Sequence, residues 1–147
     1  MNYRDFKPYS KISSLTLGGG GIGQVWGETT SKEAIKTVHA ALDHGINHFD
    51  VAPMYGKGEA ERIIGKSLNG LDADDLFFTT KCQLGTLPDT EVYDKLNDSL
   101  TRSLDNMKLE KVNLFLLHSQ LIEDHYKLYK FDEMRAKSAT TLSCFFN

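Results

Sequence analysis

Four polar side chains of different chemistry stand at or just after the ends of apolar segments. Asp50 ends the segment INHFD, and Tyr55 lies in the loop that follows it. Lys81 ends LFFTTK and His118 ends VNLFLLH. Singly, each type is common at a strand end or in a loop for structural reasons alone. Together, a carboxylate, a phenol, an ammonium and an imidazole form a set that can move a proton to or from a reacting group.

The segments that carry these residues alternate with helical patterns. Strands are predicted where short runs are alternating, β-branched or aromatic, at 11–17, 46–50, 76–81 and 112–118. Helices are predicted where apolar residues recur at helical spacing, at 30–43, 58–68 and 89–106. Thr30 and Glu33 match a capping box at the start of the first helix, and Gly45 favours its end. The order βαβαβαβ predicts an α/β fold with a parallel sheet covered on both faces.

The predicted topology brings the four polar side chains together. In parallel α/β folds the carboxyl ends of the strands meet at one edge, and ligands bind there. A lysine at the end of an apolar strand costs several kcal/mol unless a carboxylate pairs with it. We therefore predict an ion pair between Lys81 and Asp50 at this edge.

The glycine-rich run offers a competing interpretation. Gly18, Gly20 and Gly23 match the G-x-G-x-x-G spacing of dinucleotide-binding Rossmann folds, and Asp50 ends the next strand, where a ribose ligand would lie. That motif opens a helix at its third glycine. Here residues 24–28 separate Gly23 from the Thr30 cap, and a run of four glycines matches such a spacing easily. The Rossmann fold is therefore the minor alternative.

Composition excludes several classes of protein. The 147 residues are 25% charged and 40% hydrophobic, as in one globular domain, and the net charge of −3 offers no basic surface for nucleic acid. No apolar run is long enough to span a bilayer, and residues 1–10 lack the apolar core of a signal peptide. Cys82 and Cys144 match no metal or disulfide spacing. We expect a cytoplasmic protein with reduced thiols, no metal site, and no membrane or nucleic-acid partner.

Three segments resemble the aldo-keto reductase family. LGGGGIGQVWG at 17–27 is similar to the family's first strand-end loop, and GINHFDVAPMYGKGE at 45–59 to its most specific signature. The run 104–119, which ends in FLLHS, is similar to its fourth-strand motif. The glycine-rich start and LHSQLIEDHY at 117–126 look most like the branch with aldose, galactose and fucose dehydrogenases. The resemblance covers residues 11–125.

The resemblance implies a fold, an activity and a cofactor. The fold is the N-terminal half, about four β-α units, of a TIM (β/α)8 barrel. The activity is that of an oxidoreductase that interconverts carbonyls and alcohols with NADP(H) or NAD(H), on small aldehyde, ketone or sugar substrates. By position, the cofactor lies near Gly20, Gly21, Ile22 and Asp50.

The resemblance also assigns roles to the four polar residues: Tyr55 as proton donor, Lys81 as the lysine beside it, Asp50 as the carboxylate paired with that lysine, and His118 as the histidine that orients the substrate. Elementary chemistry agrees with these roles. Hydride transfer to a carbonyl builds an alkoxide that must receive a proton. A free phenol is a weak acid, with a pKa of about 10, and an adjacent ammonium strengthens a phenol as an acid because it stabilises the phenolate.

The length departs from the family pattern. A full barrel needs about 250 residues, and this chain ends after the fourth predicted strand. We expect a partial aldo-keto reductase domain over 1–147, with an irregular or truncated tail at 126–147 and little activity alone. The alternative is a non-catalytic half-barrel fragment or interaction module. A metal-dependent barrel hydrolase is weaker, because such sites use several His and Asp ligands and the first strand here ends in glycines.

A half-barrel also leaves one face of its sheet without the facing strands. The side chains expected there, or their alternates in register, are Ile46, His48, Phe77, Thr79, Leu114 and Leu116. Exposure of that face to water would create an apolar patch that promotes association. We therefore expect the chain to self-associate through the open half-barrel.

Overall fold

The computed structural model describes residues 1–7 and 11–118. Several predicted features lie outside the described residues, namely Ser119 and the rest of the segment up to 126, the tail at 126–147, and Cys144. In the described ranges no helix combines the length and the apolarity that crossing a membrane requires.

The described chain forms a four-stranded parallel sheet with helices packed on it, preceded by a two-stranded antiparallel ribbon. The strands are β1 Tyr3–Asp5, β2 Lys11–Ser13, β3 Thr16–Gly18, β4 His48–Asp50, β5 Phe77–Cys82 and β6 Leu114–Leu117. The helices are α1 Gly19–Ile22, α2 Ser31–Asp43, α3 Glu59–Ser67 and α4 Asp89–Met107. The sheet order is β3-β4-β5-β6, with every neighbouring pair parallel. The predicted α/β class and the three long helices are confirmed.

The strand predicted at 11–17 is wrong as a single element. Lys11–Ser13 pairs antiparallel with Tyr3–Asp5, whereas Thr16–Gly18 joins the parallel sheet. The division follows from Ser13, whose hydroxyl donates to the Leu15 carbonyl at 2.6 Å and whose backbone N–H donates to the Asn47 side chain at 2.7 Å. The ribbon β1–β2 and the four-residue helix α1 were not predicted.

One face of the sheet, which we call the helix face, carries the hydrophobic core. Its aromatic side chains Phe49, Phe78 and Phe115 are almost completely buried, in one cluster with apolar residues of α2, α3 and α4. Burial of side chains of this size stabilises a fold by roughly 1.5–3 kcal/mol each. The helix face therefore holds the strands in place and fixes where they end.

The opposite face, the inner face, is less open than predicted. Phe77 and Thr79 are buried, and His48, Leu114 and Leu116 are half-buried. Ile46, also expected on this face, is half-buried but packs against the core of the helix face. Two aromatic contacts cover Phe77, because the rings of Phe6 and His48 meet it edge-on at centroid distances of 5.4 and 5.0 Å. The expectation of a water-exposed patch is therefore wrong for Phe77 and Thr79, where Phe6 of the N-terminal segment packs on Phe77, while the remaining side chains of this face keep part of their surface exposed.

Candidate active site

Lys81 and Asp50 form the predicted ion pair at the carboxyl edge of the sheet. The Lys81 ammonium contacts Asp50 Oδ1 and also donates to the Val51 carbonyl at 3.1 Å and to the Tyr55 hydroxyl oxygen at 3.4 Å. An ammonium has three protons to donate, so these three oxygens satisfy it. With 11% of its side chain exposed, Lys81 depends on these partners.

Strand register explains why the two charges meet. In the ladder between β4 and β5, Asp50 lies opposite Thr79, and Lys81 follows two residues further on. Alternate residues of a strand point to the same face, so Asp50, Thr79 and Lys81 share the inner face. The Val51 N–H donates to the Thr79 carbonyl at 2.9 Å, which carries the pairing past the end of β4.

The loop that carries Tyr55 packs closely against the glycines that follow β3. A Cβ atom added to Gly19 would lie 3.0 Å from Tyr55 Cδ2, and one added to Gly23 would lie 2.8 Å from the Tyr55 carbonyl oxygen. Gly56 has φ +64° and approaches the Gly23 carbonyl too closely for any side chain. These contacts require glycine. Part of the glycine-rich run therefore positions Tyr55, a role that the sequence did not reveal.

His118 completes the cluster from β6. Its ring meets the Tyr55 ring edge-to-face, with a centroid distance of 5.6 Å and an interplanar angle of 90°. Its backbone N–H donates to the Cys82 carbonyl at 2.8 Å. Burial lowers the pKa of the His118 imidazole, and the nearby Lys81 ammonium lowers it further, against an opposite effect of Asp50. His118 is therefore neutral near pH 7, and one ring nitrogen can donate a hydrogen bond.

His48 is a residue of this region that the site prediction missed. Its Nδ1 lies 2.8 Å from Thr16 Oγ1 and its Nε2 lies 3.0 Å from Thr79 Oγ1, so the imidazole bridges β3 and β5 from β4. Burial lowers the pKa of His48, with Asp50 raising it and Lys81 lowering it. The alternation in His48-Phe49-Asp50 was the available signal, because it places His48 on the same face as Asp50.

The four predicted catalytic residues therefore lie together at one edge of the sheet. The sequence also matches the model of the Aldo/keto reductase family over residues 14–131. This chain belongs to the aldo-keto reductase family. L-galactose dehydrogenase of Arabidopsis thaliana is 30% identical over 110 residues, which cover 74% of this chain and 34% of that protein.

Solved aldo-keto reductases share the fold. The thermostable aldo-keto reductase Tm1743, in complex with the inhibitor epalrestat, has a TM-score of 0.77 and 27% identity over 98% of this chain and 53% of its own. An aldo-keto reductase from Klebsiella pneumoniae in complex with NADPH has a TM-score of 0.71 and 20% identity, over 90% of this chain and 44% of its own. The chain thus spans about a third of this curated relative and about half of the solved barrels, which shows a partial TIM barrel.

The residues predicted to bind the cofactor of this aldo-keto reductase differ in accessibility. A Cβ atom added to Gly21 would meet no atom within 4 Å, so the space above this glycine is open. A Cβ atom added to Gly20 would lie 2.8 Å from the Trp26 ring, which covers that glycine. Ile22 is only 4% exposed as a whole residue, and its side chain belongs to the core. The Asp50 side chain is 34% exposed. The short helix α1 ends at Ile22, with Gly23 as its C-cap, so no long helix opens at the third glycine as the Rossmann alternative requires.

Proposed function

We propose that this site interconverts carbonyls and alcohols with NADP(H) or NAD(H), and that Tyr55 is the proton donor. The observation that carries the proposal is the direction of one hydrogen bond. Lys81 Nζ donates to the Tyr55 hydroxyl oxygen at 3.4 Å. Because this bond uses the oxygen as an acceptor, the phenolic proton stays free to be donated to a substrate oxygen.

The other residues support that proton transfer. The Lys81 ammonium stabilises the negative charge that the Tyr55 oxygen acquires as its proton leaves. Asp50 holds the ammonium in place and balances its charge. The neutral His118 imidazole beside the Tyr55 ring can donate a second hydrogen bond to the same substrate oxygen and orient the carbonyl.

The residues at the edge fit a nicotinamide cofactor. The Asp50 carboxylate is one-third exposed and can accept a hydrogen bond from a ribose hydroxyl. The open space above Gly21 allows close approach of a ligand to the backbone. The Klebsiella pneumoniae neighbour is in complex with NADPH, which supports the same cofactor class here. When bound, the nicotinamide supplies or accepts the hydride.

We further propose a small aldehyde, ketone or sugar as substrate. The relative named L-galactose dehydrogenase supports a sugar. Trp26 also supports it, because this side chain is 81% exposed and its ring packs over Gly20, next to the glycine that seats Tyr55. Aromatic side chains are common in the lining of small-molecule sites.

Substitution Tyr55→Phe tests the proposal. It removes one hydroxyl, so folding should be unchanged while NADPH-dependent reduction of an aldehyde or sugar by the chain falls roughly 100- to 10,000-fold. Tyr3→Phe is the matched control, since the Tyr3 hydroxyl donates to the Gly45 carbonyl, away from the site. The measurement is NADPH oxidation by absorbance, with circular dichroism as the check on folding.

The same assay addresses the alternative of a non-catalytic fragment or interaction module. That alternative predicts no quenching of NADPH fluorescence and no turnover by the unmodified chain. Turnover that survives in Tyr55→Phe would instead remove Tyr55 from the proposed mechanism.

A further inference from the structure

Glu61 is a buried carboxylate that the proposed chemistry does not use. It lies in the first turn of α3 and has no exposed surface. Thr80 Oγ1 donates to its Oε1 at 2.8 Å and Asn106 Nδ2 donates to its Oε2 at 3.0 Å. No ion pair of Glu61 with a lysine or arginine occurs within residues 1–7 and 11–118. A buried carboxyl group held by neutral donors is costly in free energy, which calls for an explanation of its presence.

This hydrogen-bond network connects the strand that carries Lys81 with the loop that carries Tyr55. Thr80 precedes Lys81 in β5 and points to the helix face, whereas Lys81 points to the inner face. Glu61 lies in the first turn of the helix that follows the Tyr55 loop, and the N–H of the preceding Ala60 donates to the Tyr55 carbonyl at 3.2 Å. A Cβ added to Gly58 would lie 3.7 Å from Glu61 Oε2, so the carboxylate lies directly against this loop.

From this geometry we propose that Glu61 is a positioning residue that couples the Tyr55 loop to the Lys81 strand and thereby fixes the distance between the phenol and the ammonium. The catalytic meaning of the coupling rests on the proposed function. The hydrogen bond from Lys81 Nζ to the Tyr55 hydroxyl oxygen is 3.4 Å long, which is at the outer limit for a hydrogen bond. A shift of the loop by about 1 Å would break it, and displacements of this size impair catalysis strongly.

Asn106 gives the coupling its third attachment. It belongs to the last turn of α4, and its amide nitrogen lies 2.9 Å from the position that a Gly58 Cβ would take. Asn106 therefore holds the second oxygen of the Glu61 carboxylate, while Thr80 holds the first. The Tyr55 loop, strand β5 and helix α4 all contact the side chain of Glu61. Removal of that side chain therefore removes the connection between all three.

The test measures the Tyr55–Lys81 distance rather than activity. The probe is 1,5-difluoro-2,4-dinitrobenzene, which loses two fluorides to two nucleophilic side chains a few ångströms apart and so joins an amine to a phenol. Peptide mapping by mass spectrometry quantifies the Lys81–Tyr55 bridge in the full chain. We expect Glu61→Leu to reduce the bridge at least five-fold at equal folded fraction by circular dichroism.

Two further variants define the mechanism. Glu61→Gln should keep at least half of the bridge, because its amide oxygen can accept from Asn106 and its amide nitrogen can donate to Thr80 Oγ1. Ser67→Ala is the matched control, since this buried hydroxyl on the same helix donates to the Ile63 carbonyl at 2.7 Å and takes no part in the Glu61 network. The amount of Lys81–Tyr55 bridge in Ser67→Ala should equal that in the unmodified chain.

An unchanged bridge in folded Glu61→Leu overturns the coupling. If Glu61→Leu does not fold, Thr80→Val decides, because it removes one donor at constant shape: a reduced bridge supports the coupling and a full bridge overturns it. The proposed function fails separately, when the unmodified chain shows the bridge but Tyr55→Phe leaves carbonyl reduction intact.

Discussion

At the scale of single residues, the positive charge of Lys81 determines the electrostatics of the site. Its three donors meet a carboxylate, a backbone carbonyl and a phenol oxygen, so the ammonium is held in one orientation. The same charge acts on the two imidazoles of the inner face. It lowers the pKa of both His118 and His48, although burial contributes more at each.

A pH dependence of stability follows from these two histidines. In the folded chain, burial lowers the pKa of both histidines below the ordinary value of a histidine side chain, which is about 6.5. The unfolded chain then binds more protons as the pH falls, so the stability that the neutral imidazoles provide is complete above about pH 6.5 and is lost progressively below it. We expect the urea midpoint to fall between pH 7.5 and 5.5.

NMR titration of the imidazoles checks the cause of this dependence, with both midpoints expected below that of free histidine. His48→Gln should flatten part of the stability profile, since glutamine can bond to Thr16 and Thr79 without titrating. A urea midpoint independent of pH over this range would contradict the prediction.

The sequence predicted four residues of the candidate site but did not point to His48 or Glu61, for different physical reasons. Asp50, Tyr55 and Lys81 end up together because parallel strands share one carboxyl edge, which is a property of topology. Glu61 looks like a residue of the polar face of an amphipathic helix, and only the packing of α3 against β5 and α4 shows that it is buried. Local pattern carries no information about such long-range contacts.

At the scale of elements, helix α3 depends on a close approach to α4. A Cβ added to Gly65 would lie 2.5 Å from the Asn106 carbonyl oxygen and 2.9 Å from Met107 backbone atoms. Backbone cannot move aside as a flexible side chain can, so Gly65→Ala must push the two helices apart. Overpacking of this kind typically costs about 1–3 kcal/mol.

Urea unfolding of Gly65→Ala measures that loss in the free energy of unfolding. Gly21→Ala is the control, because its added methyl group meets no atom within 4 Å and should leave stability unchanged or raise it slightly. Equal stability of the two variants would show that α3 and α4 can separate without cost.

Element predictions succeeded where the signal was local. The capping box of Thr30 and Glu33 is present with both of its hydrogen bonds, and α2 begins at the next residue. The prediction of one strand at 11–17 failed because the alternating pattern of apolar and polar residues continues through a bend at residues 14–15. This bend depends on hydrogen bonds to Asn47, which is more than thirty residues away. Helix α1 was missed because three of its four residues are glycines, which disfavour helices.

At the scale of the whole molecule, the described sheet has two edges. Within residues 1–7 and 11–118, β3 pairs only with β4 and β6 pairs only with β5. Unpaired strand edges are templates for pairing with another chain. We propose that the chain self-associates through the open edge of the half-barrel at β3, even though the inner face of the sheet is half-buried.

Sedimentation velocity between 1 and 100 µM measures this association, with thermal melting of the same samples. We expect species larger than the monomer at tens of micromolar and a melt that depends on concentration. A monomer over this whole range, with a sharp and concentration-independent melt, would refute the proposal.

Strand β5 is tied to the molecule on both of its faces. Thr79 bonds to His48, Thr80 to Glu61 and Lys81 to Asp50, and β4 and β6 flank the strand. Regions with many such ties open only when the entire fold opens, whereas loosely held regions open locally. The amide protons of this strand are therefore protected until global unfolding. It follows that strand β5, which carries Lys81, does not open through the fluctuation of a single loop, and that this part of the site persists as long as the fold does.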